Sequence, residues 1–333
     1  MEIAMPMIAL LLSLLFSPLT AQTLKLATIA PEGSTWMKVL KDMDRDLKRR
    51  TKGKVKFKFF PGAIKGDEKT VLKQMKFGAV DAAGFASLGM GEITGEVRAL
   101  DLPLLLRTDQ EVDLLYDKMF DRFSAIFDTK GYVLLGFSDI GFVHFFSNVR
   151  ISTKPDLKKT KCWVWTGDQV AETALKRLGV SPIPLAVADV FTSLQTGVID
   201  TFYSPPLGAV AMQWFSKVKY FQEFPLTHST GGLVVTNKAF RRIKPPDQEM
   251  LKKVARRHMR RLVKASRKEN KEAIAALKKV GLQFIPKPGI AELAQYEAIG
   301  MQIRDELADK VYSKATLQEV LAVLAEHRKG NKE

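Results

Sequence analysis

Val190–Asp200 reads VFTSLQTGVID, and Val71–Asp81, 119 residues earlier, reads VLKQMKFGAVD. Each copy joins a helix-like spacing of apolar residues to a glycine, two apolar residues and an aspartate. A glycine just past a helix takes the left-handed conformation that other residues resist, and the apolar pair is typical of a short buried strand. The repeat predicts two similar α/β lobes, each with an aspartate at the C-terminal end of a strand, where open α/β sheets hold ligands. The alternative is a common helix-to-strand turn used twice.

The N-terminus has the pattern of a secretory signal peptide. Met5–Phe16 is almost wholly apolar, and small residues follow up to Ala21. We expect residues 1–21 to be cleaved, which leaves Gln22 as the first mature residue. The usual basic n-region is missing. An uncleaved anchor is the alternative, but a bilayer span needs roughly 17–25 apolar residues and this run is shorter.

The composition limits the classes of partner. A chain of 333 residues is long enough for two lobes with cores, and its one cysteine, Cys162, forms no internal disulfide. The net charge of +16 would suggest nucleic acid in a cytosolic protein. Because export is predicted, we expect anionic headgroups, an acidic partner or solvent instead.

The segment 246–279 is predicted to form one long helix, with Asp247 able to cap its start. At about 1.5 Å per residue this helix would be roughly 50 Å long, enough to brace both lobes. It carries twelve Lys or Arg against four acids. This excess indicates either a solvated face or a docking surface for an acidic partner or a membrane.

Strand-like segments are predicted in both lobes, and two of them pass from one lobe to the other. The pattern predicts strands over 24–29, 55–59, 132–137, 141–146, 162–165 and 231–236, of which 141–146 crosses to the second lobe and 231–236 returns. Two last helices are predicted over Ile290–Ala308 and Leu317–Arg328.

The common enzyme motifs are absent from the sequence. The four histidines include no His-x-x-x-His pair and there is no second thiol, so no standard zinc site is present. There is no Gly-x-Ser-x-Gly elbow, and Gly89, Gly91 and Gly95 have the wrong spacing for a dinucleotide loop. Asp81 and Asp200 could pair as acid and base, but their repeated context favours turn or strand-end roles. We expect no enzyme, no metal and no cofactor.

Several segments resemble the solute-binding proteins of TRAP transporters, the DctP type. Phe60-Pro61-Gly62 and the segments 78–81 and 100–105 resemble the first half of these proteins. Residues 155–158 resemble the entry to their second-lobe strand. Pro182–Leu185 followed by Asp189–Asp200 closely resembles their most specific signature, with Asp189 where the family usually has Glu.

The resemblance implies an α/β, two-lobed periplasmic binding protein of the type II-like class, with a long helix bracing both lobes. The implied division is a signal peptide at 1–21, lobe I at 22–145 plus 231–262, lobe II at 146–230 plus 280–325, and the connecting helix at 246–279. It also implies ligand capture by lobe closure and delivery to a TRAP-type membrane permease. Some branches of the family suggest an accessory periplasmic lipoprotein.

One departure from the family concerns the ligand clamp. Typical members carry Lys-Ile-Arg-Val-Pro, in which the Arg clamps the ligand carboxylate. The aligned residues 161–165 read KCWVW, so Trp163 replaces the Arg and Trp165 the Pro. The family's second basic position falls near Val143-His144, where His144 could serve in part.

An indole has one N–H donor and no charge, whereas a buried carboxylate needs a partner. The substitution therefore favours a hydrophobic or amphipathic ligand, with or without a carboxylate. Strand alternation places residues 163 and 165 on the same face, and the alignment points that face toward the cleft. The predicted ligand-binding residues are Phe85, Ser87, His144, Trp163, Trp165, Phe202, Tyr203, Ser204 and Trp214.

Two alternatives remain open. A small organic acid could be held by His144 or a Lys, in which case binding would depend on pH between about 6 and 7. Alternatively, the protein could be a ligand-free scaffold whose basic helix docks an acidic protein or lipid headgroups.

Overall fold

A computed structural model describes residues 21–330, so the predicted signal peptide lies outside the described residues except for Ala21. The described chain alternates strands and helices. Its strands are β1 Gln22–Thr28, β2 Val55–Phe60, β3 Ala82–Phe85, β4 Tyr132–Ser147, β5 Trp163–Trp165, β6 Ile183–Leu185, β7 Thr201–Ser204, β8 Tyr220–Gln222, β9 Thr227–Thr236 and β10 Gln283–Ile285.

The helices of the first half are α1 Thr35–Arg50, α2 Glu68–Lys76, α3 Ser87–Ile93, α4 Asp109–Lys118, α5 Phe120–Thr129 and α6 Lys154–Leu157. Those of the second half are α7 Gln169–Arg177, α8 Val190–Thr196, α9 Pro206–Ala211, α10 Asn237–Arg241, α11 Pro245–Lys279, α12 Ile290–Leu307 and α13 Lys314–Gly330. Short 3₁₀ helices occupy Gly95–Asp101, Val187–Asp189 and Trp214–Lys217.

One long strand, β4, connects the two lobes. The sequence predicts two strands here, but Tyr132–Ser147 forms a single strand with pairing irregularities at Leu134/Gly136 and Asp139/Gly141. The main sheet has the order β10-β8-β4-β9-β3-β1-β2, and β7 also pairs with β4. The first half of β4 therefore belongs to the first-lobe sheet, and its second half pairs with β7 and β8 of the second lobe.

The cores follow from the apolar faces of these elements. In the first lobe, α1 and α11 cover one side of the sheet, and α2, α4 and α5 cover the other. In the second lobe, α8 and the 3₁₀ helix at Trp214–Lys217 pack on β4, β7 and β8. The resulting two-lobed α/β architecture agrees with the fold class that the sequence indicates.

The two copies of the repeat adopt the same local structure. Gly78 and Gly197 have φ angles of 77° and 74°, which supports the predicted glycine turns. The Asp81 carboxylate accepts the N–H of Lys25 at 2.9 Å, and the Asp200 carboxylate accepts the N–H of Lys161 at 2.9 Å. The equivalent bonds are the structural evidence that the lobes share one building unit.

The position of the two aspartates is nevertheless the reverse of the predicted one. The strands β3 and β7 begin one residue after Asp81 and Asp200, because the apolar pair that follows each glycine lies in the turn and not in a strand. Each carboxylate therefore stands at the N-terminal end of its strand, away from the ligand edge, and ties that strand to its parallel neighbour.

The long helix α11 contacts both lobes. It has 35 residues, and Leu262 packs in the first-lobe core while Leu277 packs in the second-lobe core. Its N-cap is Lys244, so Asp247 lies in the first turn and is not the cap. Within residues 21–330 no helix combines the length and apolar character that crossing a bilayer requires.

The last helix, α13, packs on the first lobe and α12 lies between the lobes, whereas the division implied by the resemblance places 280–325 in the second lobe. Ile303 of α12 and Val320 of α13 belong to the same core cluster as Val112 of α4. Helix α12 packs on the second lobe as well, where Tyr296 and Ile299 lie against a core cluster and Glu306 pairs with Arg177 of α7 at 2.5 Å. An amphipathic pattern shows which face of a helix is buried but not which lobe buries it.

Candidate functional site

A cavity of about 500 Å³ lies between the lobes. The first lobe contributes the segments that follow β1 and β3, and the second contributes β5, α7 and the β7–α9 segment. The wall is mostly aliphatic and aromatic. It includes all four tryptophans of the chain, Trp36, Trp163, Trp165 and Trp214.

The two tryptophans of β5 lie side by side on the second-lobe wall. Trp163 is only 2% exposed, and its ring lies 5.0 Å from that of Tyr203 and 5.4 Å from that of Trp214. Its Nε1 donates to the Leu185 carbonyl at 3.0 Å, so this donor is already used. Trp165 is half-buried, and its Nε1 is buried without a hydrogen-bond partner in the described structure.

The first-lobe wall is fixed by hydrogen bonds to a buried glutamate. Phe85 ends β3, and Ser87 begins α3 and shares a hydrogen bond of 2.6 Å with Ser229. The Glu68 carboxylate accepts the N–H groups of Ala86 and Gly89 at 2.6 and 2.7 Å. Burial raises the pKa of Glu68 to about 7.

A three-residue ion cluster crosses the cavity wall between the lobes. Arg98 of the first lobe donates from Nη2 to Oδ1 of Asp168 in the second lobe at 2.8 Å, and its Nε lies 3.1 Å from Oδ2 of Asp101. Burial alone lowers the pKa of Arg98, but Asp168 and Asp101 outweigh it and the pKa is raised. Arg98 therefore stays charged, and the cluster is net negative when both carboxylates are ionised.

The same cluster is anchored in the backbone. Asp101 accepts the N–H of Thr230 at 2.8 Å, and Asp168 accepts the N–H of Ala171 as the N-cap of α7 at 3.1 Å. Burial raises the pKa of Asp101 to about 6 despite the nearby guanidinium. All three side chains are at least nine-tenths buried.

Most of the predicted site residues lie on the cavity wall, although their roles in binding stay predictions. The wall contains seven of the nine, namely Phe85, Ser87, Trp163, Trp165, Tyr203, Ser204 and Trp214. The tyrosine hydroxyl also accepts the N–H of Trp165 at 3.2 Å.

His144 and Phe202 do not line the cavity. On either side of His144 in β4, Val143 and Phe145 line the cavity, so the alternating side chain of His144 points the other way. Its Nδ1 donates to the Gln222 carbonyl at 2.9 Å. Phe202 is fully buried and stacks on Phe146 at 4.8 Å. The structure therefore places His144 outside the cavity wall, contrary to the position expected from the sequence.

His144 should affect stability in acid rather than ligand binding. Burial lowers its pKa to about 4, so below pH 6.5 the unfolded chain binds a proton that the folded protein excludes. We expect this contribution to stability to be complete above pH 6.5 and to fall by roughly 3 kcal/mol as the pH decreases to 4.

Urea denaturation from pH 7 to pH 4.5, with His144→Asn as the non-titrating control, measures this loss. The free energy of unfolding should decrease less steeply with falling pH in the variant than in the wild type. An NMR pKa of 6 or above for His144 would contradict the assignment.

Sequence reasoning missed the ion cluster and Glu68. Asp101 enters the sequence argument only through the family resemblance of the segment 100–105, and Asp168 has no predicted role there. The available signal was the spacing of Arg98 and Asp101, which places them one helical turn apart. The Arg98–Asp168 contact spans 70 residues, so no local pattern predicts it.

The arrangement is suited to enclosing a molecule. Within residues 21–330 no group of three or more His, Cys, Asp or Glu side chains is placed to hold a metal ion. The walls supply apolar area from both lobes together with a small number of fixed polar groups, which is typical of small-molecule binding sites.

Comparison with known sequences identifies a matching family and several relatives. The sequence profile of the DctP family, described as bacterial extracellular solute-binding protein, family 7, matches residues 26–305. The chain is 28% identical over 310 residues to the 2,3-diketo-L-gulonate-binding periplasmic protein YiaO of Escherichia coli (strain K12), covering 90% of this chain and 92% of that protein. It is 24% identical over 286 residues to the C4-dicarboxylate-binding periplasmic protein DctP of Rhodobacter capsulatus, covering 83% of each.

Solved structures have the same fold. A TRAP periplasmic solute-binding protein from Citrobacter koseri with bound D-glucuronate has a TM-score of 0.81 at 24% identity and covers 90% of this chain and 99% of that one. The sugar acid binding protein DctPAm from Advenella mimigardefordensis, in complex with galactonate, has a TM-score of 0.86 at 19% identity and covers 92% and 98%. Because the family profile spans most of the sequence, the protein belongs to the DctP family of bacterial extracellular solute-binding proteins.

Proposed function

We propose that this protein is the periplasmic receptor of a TRAP-type transporter and that it closes its lobes over a hydrophobic or amphipathic ligand. It then delivers the ligand to a membrane permease, with or without an accessory periplasmic lipoprotein. The relatives support the location and the receptor role, because they are named as periplasmic binding proteins. The signal-peptide pattern at residues 1–21 supports export.

The proposal rests on the one buried cation in the described part of the cavity wall, because its charge is already neutralised within the protein. Arg98 is held by Asp101 and Asp168, so its charge is already balanced by two carboxylates. A ligand carboxylate at this point would meet two like charges close by, which disfavours binding. The rest of the wall is aromatic and aliphatic, which favours burial of apolar surface of the ligand.

A polar group on the ligand is also accommodated. The indole N–H of Trp165 is buried without a partner among the described residues, and leaving such a donor unsatisfied is costly. An oxygen acceptor on the ligand would remove this cost. An amphipathic molecule with one such oxygen therefore fits the wall better than a wholly apolar one.

A second candidate is an organic acid that displaces Asp168 from Arg98. The buried Nε of Arg98 has no well-formed hydrogen bond, and two relatives of similar fold were solved with D-glucuronate and galactonate. In this version the ligand carboxylate would replace the contact between Arg98 and Asp168.

Tryptophan fluorescence can separate these ligand classes, because every tryptophan borders the cavity. We expect saturable changes with decanol, an uncharged amphipathic probe, and no binding of D-glucuronate or galactonate. Trp165→Phe keeps an aromatic ring but removes the N–H, and should weaken decanol binding about fivefold.

Saturable binding of D-glucuronate without binding of decanol would overturn the apolar assignment and support the organic acid. If none of the probes binds and no small molecule accompanies the purified protein, the ligand-free scaffold becomes the better description.

A further inference from the structure

The solvent-facing side of α11 is strongly cationic. From Lys253 to Lys271 every Lys and Arg is exposed except Arg267, which gives eight exposed cations. The only acid in this stretch, Glu269, is half-buried and bonded to Thr35. The span of 18 residues is about 27 Å long at 1.5 Å per residue.

These cations lie on one face of the helix. Lys253, Arg257, Arg260 and Lys264 follow the i, i+4, i+7, i+11 spacing of a single stripe. The opposite side carries buried residues such as Leu262 and packs on the protein. We call the exposed stripe from Lys253 to Lys271 the cationic face.

The neighbouring helix α1 widens the cationic face. Asp46 lies between the helices and contacts Arg49, Arg50 and Arg257, and Asp42 contacts Arg45 and Arg261. Five guanidinium groups thus share two carboxylates, which leaves three positive charges in excess. Most of these side chains border a shallow groove of about 580 Å³.

Local pairing accounts for only part of this surface, because four of its eight exposed cations contact a carboxylate: Arg257, Arg260, Arg261 and Lys268. Exposed helix faces usually mix opposite charges at i, i+4, and like charges there are destabilising. Lys253 and Lys264 make no ion pair within the described structure. The positive charge that these pairs leave in excess is best explained by an external counter-charge.

We propose that the cationic face docks on an anionic phospholipid surface. Guanidinium groups match the geometry of phosphate oxygens and form paired hydrogen bonds with them. A small soluble anion would use only the groove, whereas a surface about 27 Å long suits a planar array of phosphate groups. Basic residues held near such a surface add to its binding strength one by one.

Vesicle flotation with the full mature chain tests this docking. The probes are vesicles of phosphatidylcholine alone and of phosphatidylcholine with phosphatidylglycerol, each at low and high salt. We expect binding only to the anionic vesicles, and only at low salt. The double variant Arg260→Glu/Lys264→Glu should bind at least about tenfold more weakly.

A matched control separates a specific face from net charge. Lys73→Glu/Lys76→Glu changes the total charge equally at exposed positions of α2 and should bind like the wild type. Equal weakening by both double variants, or no binding of the wild type to anionic vesicles, would overturn the proposal. Circular dichroism of each variant checks that the fold is retained, and an acidic protein partner would then be the alternative occupant.

Discussion

Replacing Trp163 with Ala should lower the free energy of unfolding by about 3–5 kcal/mol. The ring is 2% exposed and contacts Tyr203 and Trp214, so its removal leaves a hole in the second-lobe core. The Leu185 carbonyl also loses its donor. Urea denaturation gives the change, and an unaltered m-value would show that the same surface is still exposed on unfolding.

Trp165→Ala is the matched control for this variant. Trp165 lies on the same strand and the same wall but is only half-buried, so we expect a smaller loss of stability. Both variants should weaken ligand binding about tenfold or more, because each removes apolar wall area. If Trp163→Ala lowers the free energy of unfolding by less than Trp165→Ala does, the central position of Trp163 in the wall is incorrect.

Replacing Arg98 with Met should also cost about 3–5 kcal/mol, because it leaves two buried carboxylates without a counter-charge. Asp101 and Asp168 are each at least nine-tenths buried, and the Arg98–Asp168 bond joins the lobes. The variant should therefore lose stability and also favour the open arrangement of the lobes. Urea denaturation measures the first effect, and small-angle X-ray scattering measures the second.

Neutralising the carboxylates should restore much of the lost stability. The triple variant Arg98→Met, Asp101→Asn, Asp168→Asn removes the unpaired charges, so it should be more stable than Arg98→Met alone. Lys69→Met is the control, because the Lys69–Glu92 pair is one-third exposed and such pairs contribute at most about 1 kcal/mol. Equal losses in Lys69→Met and Arg98→Met would show that the buried cluster has no special role.

The sequence predicts best the features that depend on neighbouring residues. The glycine turns within the two repeats follow from local backbone geometry, and the shared face of Trp163 and Trp165 follows from strand alternation. The family resemblance supplies the lobe arrangement that these local features cannot provide.

The remaining errors have physical causes. Val143 and His144 are adjacent on a strand, so an uncertainty of one residue in the alignment moves the side chain to the opposite face. The sequence pattern predicts the wrong strand end for the aspartates of the repeats, because two apolar residues suit a turn as well as a strand. The Arg98–Asp168 contact depends on how the lobes meet, which only the folded chain determines.

The ligand chemistry is tested most directly by native mass spectrometry of the protein purified from its own cells, followed by organic extraction of the bound molecule. We expect a co-purifying apolar or amphipathic compound that is lost in Trp163→Ala. A co-purifying sugar acid or small dicarboxylate that is retained in Trp163→Ala and lost in Arg98→Met would contradict it.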